Sequence, residues 1–216
     1  MLAMPNNIEF DNIKQFIKSS MSDWPGNITS IIFLGNCNFR CPFCINKDIA
    51  YGDIPIEDVP FEEIDSLFKE EQYRKFVNHV SICGGEPTIY PKLLPMIEYL
   101  KRDLGLSIKL DTNGSRPEVI STLLKEKYLS YISMDIKAPI DINSYAYSSG
   151  VMCPSIEDIK RSIKLTISSG ISYDIRVVTH PYLNIGGMDE LCLQLNQLGV
   201  KKDNIKIIPY IDPWRI

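Results

Sequence analysis

Apolar runs rich in β-branched residues alternate with stretches of helical period through most of this 216-residue chain. That alternation is the mark of repeated βα units around a parallel sheet. The candidate strands are Ile28–Leu34, Val77–Cys83, Ser107–Asp111, Tyr131–Ile136, Ser172–Thr179 and Asn204–Pro209. Between them the spacing predicts helices over Phe61–Lys75, Leu93–Leu104, Pro117–Lys127, Ile156–Ser169 and Met188–Leu198. Ser155 before Ile156-Glu157-Asp158, and the early acids Glu62 and Glu63, are conventional helix starts. Any helix between Cys44 and Pro55 has to be short, and Tyr51–Pro60 reads as a surface loop. Six units fall short of the eight that close a barrel, so the expected fold class is α/β, an open and curved (βα)6 sheet. In such sheets the chemistry sits where the loops converge, at the C-terminal ends of the strands.

Charge and hydropathy narrow the function classes. The 23 basic and 27 acidic residues are dispersed and give a net charge of -4. That argues against a nucleic-acid groove, which needs a concentrated basic surface. No apolar run reaches the length of a membrane span, and Met1–Phe10 has neither a basic start nor a hydrophobic signal core. A cytoplasmic protein is expected, acting on a folded polypeptide or a small molecule.

Three of the six cysteines, Cys37, Cys41 and Cys44, fall within eight residues. Thiolates at this spacing can hold three irons of a 4Fe-4S cube and leave the fourth iron without a protein ligand. Electron carriers of the ferredoxin type saturate their clusters with four cysteines. A vacant coordination position instead suits catalysis. Zinc is the alternative, with His79 or Cys83 as a fourth ligand, although the spacing is unusual for zinc and no second Cys-x2-Cys pair exists. Cys83 lies in an apolar run, and Cys153 and Cys192 have no partner at ligand spacing.

Further motifs follow the candidate strands. In Gly84-Gly85-Glu86-Pro87-Thr88 two glycines let the backbone approach a ligand closely, and the carboxylate can accept from an ammonium group, unless the run is an ordinary turn. Asp111 in Leu110-Asp111-Thr112-Asn113-Gly114 and Asp135 in Asp135-Ile136-Lys137-Ala138-Pro139 end adjacent strands. Two carboxylates there repel unless a cation or Lys137 sits between them, and turn-capping aspartates are the plainer reading. Asp23-Trp24-Pro25-Gly26 reads as a turn, Arg176 as an ion-pair arginine, and His180 before Pro181 as a loop residue.

The run Cys-x3-Cys-x2-aromatic-Cys over residues 37–44 resembles the signature of the radical S-adenosylmethionine superfamily, and the resemblance extends over about residues 23–209 of a single domain spanning 1–216. It implies an open (βα)6 partial TIM-type barrel with parallel strands. It also implies that S-adenosylmethionine chelates the open iron and is reductively cleaved to a 5'-deoxyadenosyl radical that abstracts hydrogen. Gly84, Gly85 and Glu86 would contact the amino end of the cofactor, Phe43 would lie near its adenine, and Asn113 and Arg176 would belong to the same binding set. The pairing of Asp-Thr-Asn-Gly with Asp-Ile-Lys-Ala-Pro is similar to the subgroup that activates glycyl radical enzymes. There Asp111, Thr112 and Asp135 would ligate a monovalent cation, Lys137 would reach the cofactor's carboxylate or ribose, and Asp23–Gly26 would lie near the partner's glycine loop. The implied partners are a glycyl radical enzyme, in particular anaerobic ribonucleotide reductase, and a flavodoxin- or ferredoxin-type electron donor, with no nucleic acid and no membrane. Ile45 stands where many activating enzymes have histidine, and no histidine follows Pro209-Tyr210. A small-molecule enzyme resembling 7-carboxy-7-deazaguanine synthase is the second reading, disfavoured by Asp135-Ile136-Lys137. The third is a non-catalytic iron-sulfur or zinc binding module.

Overall fold

The structure is a computed structural model and describes residues 9–181, 183 and 185–211. Residues 1–8, part of the stretch read above for export signals, lie outside them. Seven strands form one sheet in sequence order: β1 (Ile13–Ser20), β2 (Thr29–Leu34), β3 (His79–Gly84), β4 (Ser107–Thr112), β5 (Tyr131–Asp135), β6 (Ser172–Val178) and β7 (Ile205–Ile208). From β2 to β7 all pairings are parallel, and β1 and β7 are the two edges, so the sheet is open as expected.

The added strand is β1, antiparallel to β2. Its register shifts between Ile13 and Gln15 and again between Ile17 and Ser20. Such bulges break the period of two by which a strand is recognised. Phe16 nevertheless reaches the core side, edge-on to Phe68 at 6.0 Å.

The helices are α1 (Lys47–Tyr51), α2 (Phe61–Lys69), α3 (Glu71–Arg74), α4 (Leu93–Glu98), α5 (Pro117–Lys125), α6 (Ile142–Ser149), α7 (Ile156–Ser168) and α8 (Ile185–Gln197). The single helix expected over Phe61–Lys75 is two, because Glu70 is extended (φ -71°, ψ 120°) and α3 buries no residue that would hold a longer helix in place. A π-turn, Tyr99–Asp103, continues α4 and keeps both Tyr99 and Leu100 inside. The unexpected α6 lacks an apolar stripe and buries Tyr145, Ser148 and Ser149. Its ends define it: Asp141 accepts from the backbone N–H groups of Asn143 and Ser144, both at 3.0 Å, and Gly150 closes it at φ 68°.

Strand alternation divides the sheet into two unlike faces. Val80, Ile82, Ile108, Leu110, Ile132, Met134, Ile175 and Val177 belong to the hydrophobic core. The other face, towards the barrel lumen, carries Ser81, Cys83, Lys109, Asp111, Ser133, Asp135, Asp174 and Arg176. Lumens of closed barrels are filled mainly by branched aliphatic side chains. Here a charged and polar floor lies beneath the C-terminal ends of the strands.

Candidate active site

The cysteine loop is held by the elements around it. After β2, Asn36 adopts a left-handed conformation (φ 66°) and donates its N–H to Ile49 O at 3.1 Å. Arg40 N–H donates to Ser149 O at the end of α6 (2.7 Å), and the Tyr51 hydroxyl to Cys41 O (2.6 Å). Gly150 permits this contact, since a Cβ there would stand 2.3 Å from Arg40 O. On the other side the end of β3 abuts the loop: Gly85 N–H donates to Leu34 O and Glu86 N–H to Asn36 O, each at 2.8 Å.

A cavity of about 420 Å³ opens at these strand ends. Cys37, Cys41, Phe43, Cys44, Gly84, Gly85, Glu86, Asp111, Thr112, Asn113, Asp135, Lys137 and Arg176, the whole set singled out by sequence, line it. Cys83, considered above only as a zinc ligand, lines it as well, and so do Phe33, Asn46, Tyr51, Val178 and Ile208, which were not anticipated because the runs that contain them read only as strand or loop. Asp23 lines the cavity too, whereas Trp24 is buried edge-on to His79 and tilted against Tyr131, at the N-terminal ends of β3 and β5.

Several side chains are engaged differently from expectation. The Glu86 carboxylate is 1% exposed and accepts from Thr88 N–H and its hydroxyl, from the Thr112 hydroxyl (2.7 Å) and from Asn113 N–H (2.6 Å). Burial pushes its carboxyl above the usual range, against the pull of those donors. Glu86 thus latches β3 to the loop after β4. Asn113 donates to Asn38 Oδ1 (2.9 Å) and accepts from Ser115 N–H (2.9 Å), which ties the same loop to the cysteine run. Gly84 and Gly85, which line the cavity, also make room for protein, since a Cβ would meet Leu34 O at 2.3 Å from the first and Asn36 O at 1.8 Å from the second.

The two strand-end carboxylates share Arg176, whose Nε donates to Asp135 Oδ1 and Nη2 to Asp111 Oδ2, each at 2.9 Å. Lys109, itself 1% exposed, pairs with Asp111, and Lys137 with Asp135 at 3.1 Å. At the place expected for a monovalent cation, the Arg176 guanidinium stands between the carboxylates of Asp111 and Asp135, and the Thr112 hydroxyl is turned to Glu86. Burial alone would raise the Asp135 carboxyl, but Arg176 and Lys137 outweigh it and hold it far below its ordinary range. Burial likewise pulls Lys137 down, and Asp135 reverses this.

The donor chemistry fits a cluster. Burial pushes the Cys37 thiol to about 11 and that of Cys41 to about 12, and raises that of Cys44. Metal coordination is what would make thiolates of them. Cys37 Sγ already accepts from Phe39 N–H at 3.3 Å, the kind of contact that tunes iron-sulfur potentials. Among the described residues no three Cys, His, Asp or Glu side chains gather closely enough for one metal ion. A cube takes each thiolate on a separate iron, so its three ligands need not meet at one point.

Comparison with known proteins agrees with this geometry. A glycyl-radical enzyme activating enzyme candidate of Methanocaldococcus jannaschii is 32% identical over 155 residues, 70% of this chain and 59% of its own. The 7-carboxy-7-deazaguanine synthase of Clostridium acetobutylicum is 28% identical over 114 residues, 53% of this chain and 49% of its own. The chain thus spans about half to three fifths of these relatives. The crystal structure of Streptococcus suis SuiB bound to S-adenosylmethionine shares the fold at TM-score 0.60 and 18% identity, over 82% of this chain and 39% of that one. With the Radical SAM superfamily pattern matching residues 31–195, the chain belongs to the radical S-adenosylmethionine superfamily.

Proposed function

We propose that Cys37, Cys41 and Cys44 ligate a 4Fe-4S cluster that binds S-adenosylmethionine, and that the chain uses this centre to install a glycyl radical on a partner such as anaerobic ribonucleotide reductase. The observation that carries the reading is the convergence of the three cysteines, the Gly84–Glu86 strand end and Lys137 on one cavity. When bound, the cluster and cofactor supply one-electron cleavage of a sulfonium bond and hydrogen abstraction from the substrate. The chain's own work is positioning. Lys137 has three N–H donors and spends one on Asp135, so two are left for the cofactor's carboxylate. With the Glu86 carboxylate committed to Thr88, Thr112 and Asn113, contact with the cofactor's amine falls to the backbone beside it. Asp111, Asp135 and Arg176 form a fixed, partly dry floor under the reacting groups. A single domain, a flavodoxin- or ferredoxin-type electron donor and a cytoplasmic location belong to the same proposal; no helix among the described residues is long and apolar enough to cross a membrane.

The deazaguanine synthase relative supports a second reading, a small polar substrate held on that charged floor. The test is anaerobic reconstitution followed by electron paramagnetic resonance of the reduced protein, with and without S-adenosylmethionine. A 4Fe-4S signal that shifts with the cofactor, and release of 5'-deoxyadenosine, are expected; Cys41→Ala should abolish both. Absence of cleavage in the intact protein would sink both enzyme readings. Cleavage without a glycyl radical signal in a candidate reductase would leave the small-molecule reading standing.

A further inference from the structure

His180 does not line the cavity, yet it touches two groups that do. Its ring is 1% exposed and stacks on Phe43, with centroids 3.7 Å apart and planes within 7°. Phe43 lies between Cys41 and Cys44, so this face-to-face contact bears directly on the cysteine loop. His180 Nε2 is 2.9 Å from Lys137 O. A carbonyl can only accept, so Nε2 carries the proton of a neutral ring, and burial keeps the ring neutral by lowering its affinity for a second proton. The residue is itself anchored: its N–H donates to Val178 O, and its carbonyl accepts from Leu183 N–H, both at 2.9 Å.

The contacts join three strand ends. The segment after β6 carries the imidazole, the segment after β5 receives its hydrogen bond, and the loop after β2 receives its face. One face of Phe43 is therefore taken by protein, and only the other face and the ring edge remain for the cavity. Burial alone would be met by any apolar side chain. Near-parallel stacking together with a directed bond to Lys137 O fixes both the height of the loop and the place from which the Lys137 side chain departs.

We infer that His180 is a positioning residue for the cofactor site, setting the Phe43 ring and the Lys137 backbone relative to the three cysteines. The inference rests on the reading of those cysteines as cluster ligands. The experiment compares the intact protein with His180→Ala, His180→Phe and His180→Gln after anaerobic reconstitution, reading iron per chain, the spectrum of the reduced cluster, S-adenosylmethionine affinity from the shift of that spectrum, and thermal stability before reconstitution. All four should carry the same iron, because the ligands are untouched. His180→Ala should weaken cofactor binding about 3- to 10-fold, the scale of one stacked ring pair, and alter the cluster signal. His180→Phe, which keeps the stack but not the bond to Lys137 O, should recover the larger part of the affinity, and His180→Gln, which keeps only a donor, the smaller part. Should His180→Ala fail to fold, the Phe and Gln variants carry the same contrast. Wild-type affinity and spectrum in His180→Ala would reduce His180 to packing, and failure of His180→Phe to exceed His180→Gln would exclude stacking as the means. An intact protein that takes up no iron would overturn the cluster reading and this inference with it.

Discussion

Gly85→Ala tests how tightly the end of β3 is fitted against the cysteine loop. The new Cβ would lie 1.8 Å from Asn36 O and 2.5 Å from Asn36 C, both backbone atoms that cannot rotate away. Gly85 does not adopt a positive φ, so alanine suffers no conformational strain there and the whole cost is the collision. Relieving it means separating the two segments and giving up the 2.8 Å bonds from Gly85 N–H to Leu34 O and from Glu86 N–H to Asn36 O. Two buried backbone bonds at about 1 kcal/mol each, with about 1–3 kcal/mol for overpacking, give a loss of about 3–5 kcal/mol. That is a large part of the roughly 5–15 kcal/mol typical of a domain. Gly105→Ala is the control, since Gly105 has φ 65° and nothing within 4 Å of its virtual Cβ. It should lose only about 1–2 kcal/mol, the cost of a left-handed alanine. Urea unfolding of both variants before reconstitution, compared at unchanged slope, gives the difference. If Gly85→Ala loses no more than Gly105→Ala, the close backbone approach is not what requires glycine there.

Arg176→Gln leaves the Asp111 and Asp135 carboxylates facing each other without their shared partner, and should cost about 3–5 kcal/mol in chemical denaturation. Arg176→Lys should recover only part of this, because an ammonium cannot bridge with the planar fork; full recovery would show that charge alone suffices. Glu86→Gln places an amide among donors from Thr88, Thr112 and Asn113, and a loss of about 2–3 kcal/mol in the same assay is expected. Asp141→Ala should cost about 1 kcal/mol through the cap of α6. Burial raises the Asp141 carboxyl, but bonds from Ser144 and Asn143 prevail and hold it below its usual value. With the folded value below the unfolded one, the cap's contribution is complete above about pH 4 and fades as pH falls through the folded value. A stability difference between wild type and Asp141→Ala that does not shrink in acid would refute the ionic part of the cap.

Where side-chain pattern alone decides an element, the sequence was enough to find it. The buried alternation of Val80 and Ile82, Ile108 and Leu110, Ile132 and Met134, and Ile175 and Val177 made the parallel strands readable. What escaped were elements held by backbone events. Bulges hide the pattern of β1, an extended Glu70 divides one helical period into α2 and α3, and α6 depends on the Asp141 cap and Gly150 rather than on an apolar face.

The site divides along the same line, because a motif names the atoms available while the fold decides what they face. Cysteines separated by three and two intervening residues are local, so their place on one loop could be read directly. The carboxylates of Asp111 and Asp135 were expected to need a cation or Lys137 between them, and it takes the β5–β6 register, which pairs Asp135 with Arg176, to put a guanidinium there. Gly84 and Gly85 carry the same ambiguity further. Glycine in a motif means close backbone approach, and sequence cannot say whether ligand or protein approaches. Here it is Leu34 and Asn36, the residues leading into Cys37, so the two glycines act on the site by fixing where the first cysteine begins. A side chain at either position would reach the chemistry through the placement of Cys37 even if it never touched a ligand.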